Sequence, residues 1–454
     1  MCGLVVAMSV VARGCAGGLL TGSGLGVPGE RERYVLRRDL VVKKVNELLL
    51  PAMRAHGIDM WIVLDREYHP DPLSVDIGGA GGVRNAAVFF DTGGRLEKIY
   101  IFSHPAREDL VGLLYDELIN YGYRPEGLRP YLARVVSERA PRRIGVNVSA
   151  TLPMADGLSV ELKRYLDAAI GPDLAAREVS AELLARDFRA TRLAEETELY
   201  RRLVGWTVAW EEEGLSRAAI TPGVTTADDV HWWWRERARD LGLDIASFLP
   251  GLRVISAGRD LPANDPDEPI RPGDVLSIDA GLSMIGYHTD MKRMAYVLRP
   301  GETDAPASLK RAYRDAVRVT DVLCANMRPG RLGYQVWEQT TSWAAGQGYE
   351  IGYAMQPPPD RKPEVGVYCH SVGTSVHDIG ARTSENNPHA FGDRVGYPLA
   401  KDNWYSVELH VSTPIPEWDQ QPVKCTIEES ALLTEDGPQF FVPRQEDWIL
   451  IPSG

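Results

Sequence analysis

Val275-Leu-Ser-Ile-Asp279-Ala-Gly-Leu-Ser-Met-Ile-Gly-Tyr-His288-Thr-Asp290 is the stretch on which the fold turns. Residues 275–278 are mostly apolar with β-branched ends, Gly281 and Gly286 permit a turn, and 291–298 is again strand-like, so the segment reads as a β-hairpin. Asp279 and Asp290 then lie on neighbouring strands, and paired strands run about 4.8 Å apart. Two carboxylates at that separation repel unless they share a proton or hold a cation. Solvated aspartates on an exposed hairpin would look the same, so the rest of the chain has to decide.

Further carboxylates follow in strand-like surroundings. Glu408 lies in Trp404-Tyr-Ser-Val-Glu408-Leu-His410-Val, and Glu428 in Thr426-Ile-Glu428-Glu-Ser-Ala-Leu-Leu. His370 opens His370-Ser-Val-Gly-Thr-Ser-Val-His377-Asp378. A carboxylate inside an apolar strand is costly to bury unless paired or bound to metal. One such residue is a surface position. Four with a histidine suit two divalent cations, with Mn²⁺, Fe²⁺, Co²⁺ or Zn²⁺ favoured over a thiolate-seeking metal. Two such ions can activate a water between them and polarise a carbonyl, which is hydrolytic chemistry.

The chain around this set is that of an ordinary globular protein. Its 454 residues suggest two or three domains, with 44% hydrophobic and 25% charged residues. A net charge of −13 argues against nucleic-acid or anionic-membrane partners. Five scattered cysteines, Cys2, Cys15, Cys324, Cys369 and Cys425, contain no CxxC pair and argue against a disulfide framework. Cys369 and Cys425 read as buried filler. The opening 1–34 is a leader, signal-like or disordered. It lacks a basic n-region, and Gly14-Cys15 only faintly suggests a lipid-anchor site. Localisation leans to the cytoplasm, with export or a lipid anchor left open, and no apolar run is long enough for a transmembrane helix.

Helices are expected over 37–56, 109–121 and 157–170, with strands at 60–64, 86–90, 98–102 and 144–148. That alternation gives an α/β domain over 35–175. A linker is expected at 176–192, with a catalytic domain at 193–454. Long helices are expected from the stretch beginning at Arg189 to about 219, and over 225 to 241, 306 to 327 and 332 to 347. Trp232, Trp233 and Trp234 read as a buried aromatic edge, and Trp404 and Tyr405 as core or cleft wall. Asp65-Arg-Glu-Tyr-His69 reads as a surface loop that could instead reach a neighbouring subunit's site.

The order Asp279, Asp290, His370, Glu408, Glu428 resembles the pita-bread metallopeptidases: aminopeptidase P, Xaa-Pro dipeptidase, methionine aminopeptidase and the metal-free creatinase. Asp279-Ala-Gly, Thr289-Asp290, the His370/His377 spacing and Ile427-Glu428-Glu429 carry the likeness over about 190–454. The upstream domain looks like that of the aminopeptidase P and creatinase branch. The resemblance implies an α+β fold with a C-terminal pita-bread domain behind a smaller α/β domain, and a homodimer. It implies an Xaa-Pro-type exopeptidase with two divalent ions, Mn²⁺ foremost, around a bridging hydroxide. Asp279 would chelate one ion, Asp290 and Glu428 would bridge, and His370 and Glu408 would complete the second. Glu408 would also act as base, and His377 would donate to the substrate carbonyl.

Three positions depart from the family pattern. Where the family has a histidine before the first aspartate, the nearest residue is Asn264, a hydrogen-bond donor toward substrate but no proton shuttle. Gly366 stands where proline-specific members often carry histidine, and Thr426 where they often carry arginine. The ligand set is complete while the substrate shell is altered. That leaves open a non-peptide amide or C–N substrate, or a catalytically silent scaffold. His410 and His288 read as supporting or rim histidines.

Overall fold

The computed structural model describes residues 24–79, 82–103, 108–246, 251–262, 265–352, 363–386 and 392–454. The first sheet has six strands, in the order Glu117–Asn120, Leu96–Phe102, Arg84–Asp91, Met60–Arg66, Ile144–Val146 and Glu178–Ser180. Its centre is antiparallel and its flanking pairs are parallel. Period-2 alternation in Met60–Arg66 sends Trp61 and Val63 to one core, with Val45, Leu49 and Phe188. Met60, Ile62 and Leu64 go to another, with Leu132 and Leu162.

Three expectations change here. The helix expected over 109–121 stops at Leu114, and Glu117–Asn120 is an edge strand beside Leu96–Phe102. Its alternating half-exposed, exposed pattern leaves little apolar signal to separate it from the helix before it. The expected linker holds a strand, Glu178–Ser180, and a helix, Glu182–Ala190, whose Leu184, Ala185 and Phe188 are fully buried. The expected leader is helical from Glu30 onward. Just before that helix, Pro28 is buried, Val27 is half-buried, and the Leu25 carbonyl accepts from Trp206 Nε1 at 3.0 Å. Residues 1–23, Cys15 among them, lie outside the described residues.

The second sheet carries the site. Its strands run in the order Glu350–Ile351, Glu364–Val367, Trp404–Ile415, Gln421–Thr434, Met291–Val297, Val275–Ala280, Gly251–Ser256, Arg259–Leu261, and the short strand His370–Ser371 also pairs with Trp404–Ile415. Val407, Leu409, Cys425 and Ile427 pack with helix Ala307–Asn326 through Leu309, Ala312 and Tyr313. Leu276, Ile278, Met291 and Ala295 pack with helices Ala194–Gly214 and Ala227–Asp240. Because these apolar residues alternate with the chemistry-bearing ones, helix packing on one face turns Asp279, Lys292, Glu408 and Glu428 to the other.

Helix Ala227–Asp240 begins in a reciprocal cap: Thr226 Oγ1 accepts from Asp229 N at 3.1 Å, and Asp229 accepts from Thr226 N at 2.8 Å. Trp234 is buried beside Trp210, while Trp232 is half exposed, so the tryptophan run splits between core and surface by helical period. Trp404 and Tyr405 are core residues. Asp65 is turned inward rather than outward, accepting from Asp71 N at 2.6 Å. The described cysteines, 324, 369 and 425, are free, and the last two are buried. Among the described residues, no helix is long and apolar enough to cross a membrane.

Candidate metal centre

One cross-strand row organises the site. Asp279 pairs with Lys292, Lys292 with Glu428, and Glu428 with Glu408, across four adjacent antiparallel strands. Residues opposite one another in such a ladder share a face, so all four side chains converge. This corrects the hairpin expectation in one respect. The partner of Asp279 is Lys292, and Asp290 sits just ahead of its strand rather than opposite Asp279. The reason is the excursion between the strands. Leu282–Met284 and Tyr287–His288 form their own small sheet with Asp244–Ile245, turning through Ile285 and Gly286 at φ 48° and 90°. That detour shifts the register.

Asp290 and His370 join the row from its rim. His370 Nε2 lies 3.4 Å from Asp290, 3.6 Å from Glu428 and 3.7 Å from Glu408. Three overlapping groups have ligand atoms all within 4.8 Å of one another: Asp290 with His370 and His377, His370 with Glu408 and Glu428, and Asp279 with Asp290 and Glu428. All five expected ligands are thus brought together, with His377 beside them, its ring edge-on to His370 at 4.6 Å. Asn264 lies outside the described residues. His288 lines a separate cavity of about 780 Å³ with Lys44, Arg189 and Glu196.

The donor atoms fit a cation. His370 is buried, and its Nδ1 sits 3.1 Å from the Ser371 carbonyl, which can only accept. Nδ1 therefore carries a proton, and Nε2 faces the carboxylates with no hydrogen-bond partner among the described residues, so it can give its lone pair to a cation once its own proton has left. Burial and then Glu428 hold the Asp290 carboxyl well above its ordinary range. Desolvation in the cleft pushes Asp279 up to about 6, with Glu428 and Glu408 adding and Lys292 opposing. Burial would lower His370, but Asp290 and Glu428 raise it to about 9. A cluster that takes up protons against mutual repulsion is one that a divalent ion can satisfy instead. Glu428 differs: burial would raise it, yet Lys292 and His370 hold it down, and Ser406 donates to it at 2.6 Å.

Lys292 is the residue the sequence analysis missed. Its ammonium lies 2.8 Å from Glu408 and 3.1 Å from Asp279, and it also donates to Glu428. The signal was the antiparallel register, which places residue 292 opposite 279 once the turn length is known.

A second group fills the altered substrate shell. Gly366 pairs with His410 across the ladder, and a Cβ built at Gly366 would lie 2.1 Å from the Tyr368 hydroxyl and 2.4 Å from His410 Cε1. The missing side chain leaves the room that those two occupy. His410 Nε2 lies 2.8 Å from Glu364, and Nδ1 lies 2.9 Å from the Tyr368 hydroxyl. A carboxylate only accepts, so Nε2–H donates to Glu364 and the phenol donates to Nδ1. His410 is thus a buried, fully bonded residue rather than a rim histidine. Thr426 lies opposite His410 and 3.0 Å from Ser277.

The loop carrying His377 is bolted to the N-terminal half. Buried Asp378 accepts from Arg192 at 2.7 Å and from Thr374 N at 2.9 Å, with Arg189 3.4 Å away. Burial opposes its ionisation, but the two arginines hold its carboxyl far below the usual range. Arg192 also stacks over Trp404, 4.4 Å from the ring, and Trp404 stacks on Tyr200 at 4.0 Å.

Residues 208–435 match Metallopeptidase family M24. A stretch of 197 residues is 28% identical to Xaa-Pro aminopeptidase 2 of Streptomyces coelicolor, covering 40% of this chain and 40% of that protein's length. Among solved structures, the X-Pro aminopeptidase from Thermotoga maritima superposes with a TM-score of 0.62 at 16% identity, over 88% of this chain and 99% of the other. The Xaa-Pro dipeptidase from Bacillus anthracis gives 0.61 at 16% identity, over 91% and 99%. At such identities these likenesses establish the fold, the expected pita-bread α+β architecture.

Proposed function

This chain belongs to metallopeptidase family M24, and on that footing we propose that it is a divalent-metal-dependent exopeptidase of the Xaa-Pro type. The observation that carries the reading is the convergence of Asp279, Asp290, His370, Glu408 and Glu428 on one face of the sheet, with His370 Nε2 left without a hydrogen-bond partner among the described residues. Asp290, His370, Glu408 and Glu428 would hold the ion, with Asp279 at the far end of the row. When bound, the ion supplies Lewis acidity to a scissile carbonyl and lowers the pKa of an attacking water.

The chain's own groups do the rest. Glu408 is the partly exposed member of the His370 group, so it is the carboxylate placed to take a proton from water in the cleft. His377 is exposed to the same cleft, and desolvation there, with cationic His370 and Arg382 nearby, keeps its imidazole neutral. A neutral imidazole N–H can donate to the carbonyl oxygen as negative charge develops on it. Tyr368, held by the His410 that Glu364 in turn holds, donates its backbone N–H to the Glu408 carbonyl and so forms a fixed polar wall beside it. We assign this chemistry to the catalytic unit 193–454, with 35–175 as a separate N-terminal unit.

Chelation followed by readdition of Mn²⁺ or Co²⁺ tests the reading on a panel of Xaa-Pro dipeptides and tripeptides. Hydrolysis lost and then restored is expected. Metal-independent hydrolysis, or none on any peptide, overturns it. The filled space at Gly366 favours a second reading, a smaller amide or C–N substrate, so the panel includes small amides and amidines.

A further inference from the structure

Lys292 has no part in the reading above, yet it stands at the middle of the carboxylate row. Strand pairing fixes its position: it is flanked by Asp279 on one side and Glu428 on the other, with Glu408 one strand further. An ammonium group has three N–H donors and no acceptor. Here three carboxylates surround it: Asp279 at 3.1 Å, Glu408 at 2.8 Å, and Glu428 in close contact. Each donor thus has its own oxygen. The lysine side chain is 12% exposed, so little water competes for those bonds. An ammonium so placed lies within the Asp279–Asp290–Glu428 group and shares two of its three carboxylates. The His370 end is different. Asp290 and His370 make no ion pair with Lys292, and Nε2 there has no hydrogen-bond partner among the described residues.

Charge points the same way. Four carboxylates need cations, and an ammonium with one divalent ion brings three positive charges to them. A second divalent ion would have to enter beside an ammonium that already holds its oxygens, and like charges at such spacing repel.

We propose that the Lys292 ammonium is a tethered cation filling one of the two cation positions, so that the centre takes up a single divalent ion at its His370 end. The inference rests on the cluster being a metal centre, but not on the substrate being a peptide. In place of a second Lewis acid the row would carry a fixed hydrogen-bond donor, which orients Glu408 and balances charge without coordinating substrate.

Metal stoichiometry tests this without reference to activity. The full chain is stripped, loaded with excess Mn²⁺, freed of unbound ion and measured by elemental analysis, beside Lys292→Thr and Lys292→Ala. One ion per wild-type chain and two per variant chain is expected. Two ions in the wild type, or one in wild type and variants alike, overturns the proposal while leaving the metal-centre reading intact. No ion in any of the three overturns both. Should the variants fail to fold, anomalous scattering from Mn²⁺-loaded wild-type crystals decides. One peak beside His370, with Lys292 still on its carboxylates, supports the proposal. Two peaks, or a displaced lysine, overturns it.

Discussion

His370 and His410 are two buried histidines on neighbouring strands, and they have opposite fates. Each is at most 2% exposed. His410 has both nitrogens bonded, one to Glu364 and one to Tyr368, and burial lowers its pKa. His370 has one nitrogen bonded to a backbone carbonyl and the other aimed at three carboxylates without a hydrogen bond. Burial is common to both and so does not mark a ligand. The open nitrogen does, because a buried polar atom left without a partner is costly until something binds it.

The comparison can be broken by substitution. The largest effect belongs to the carboxylate between the two histidines. Glu408→Gln keeps the shape and removes the base, and kcat should fall by about 10²- to 10⁴-fold with an unchanged circular dichroism spectrum. Activity near wild type would mean that another group accepts the proton. His370→Ala should weaken Mn²⁺ binding by on the order of 100-fold or more, since even residues that merely support a ligand are worth 10- to 100-fold. Titration calorimetry reads this directly.

His410→Ala sharpens the contrast. It should leave metal stoichiometry unchanged and lower stability by about 1–3 kcal/mol in urea unfolding, because the Glu364 carboxylate loses its buried donor. Loss of metal in that variant would place His410 in the centre after all. The smallest effect expected is that of pH on metal affinity. The protons on Asp290 and His370 must leave when an ion binds at the His370 end, so affinity should climb as pH rises through the raised range of Asp290 and again toward about 9. The sign follows from both groups being raised in the metal-free protein. Affinity that falls over this range would contradict it.

Much of this was legible before the structure. Asp279, Asp290, His370, Glu408 and Glu428 stand out because charged groups interrupt runs whose alternation calls for burial. The hairpin at 275–298, the main helices of the second half and the central strands of the first sheet follow from the same periodicity. Glu117–Asn120 and Glu178–Ser180 escaped because edge strands of three or four residues carry too few alternations to stand out from helix or loop. Gly366 read as a loss. The structure shows its place taken by His410, 44 positions along the chain, and by Tyr368.

The sequence by itself determined which side chains could bind a cation and which strand faces they would share, because side-chain alternation along a strand is a local property of the backbone. It could not say which residues stand opposite one another. Lys292 beside Asp279 and Glu428, and His410 beside Gly366, follow from cross-strand register. Register depends on turns and on the packing of whole strands, and only the folded chain fixes both.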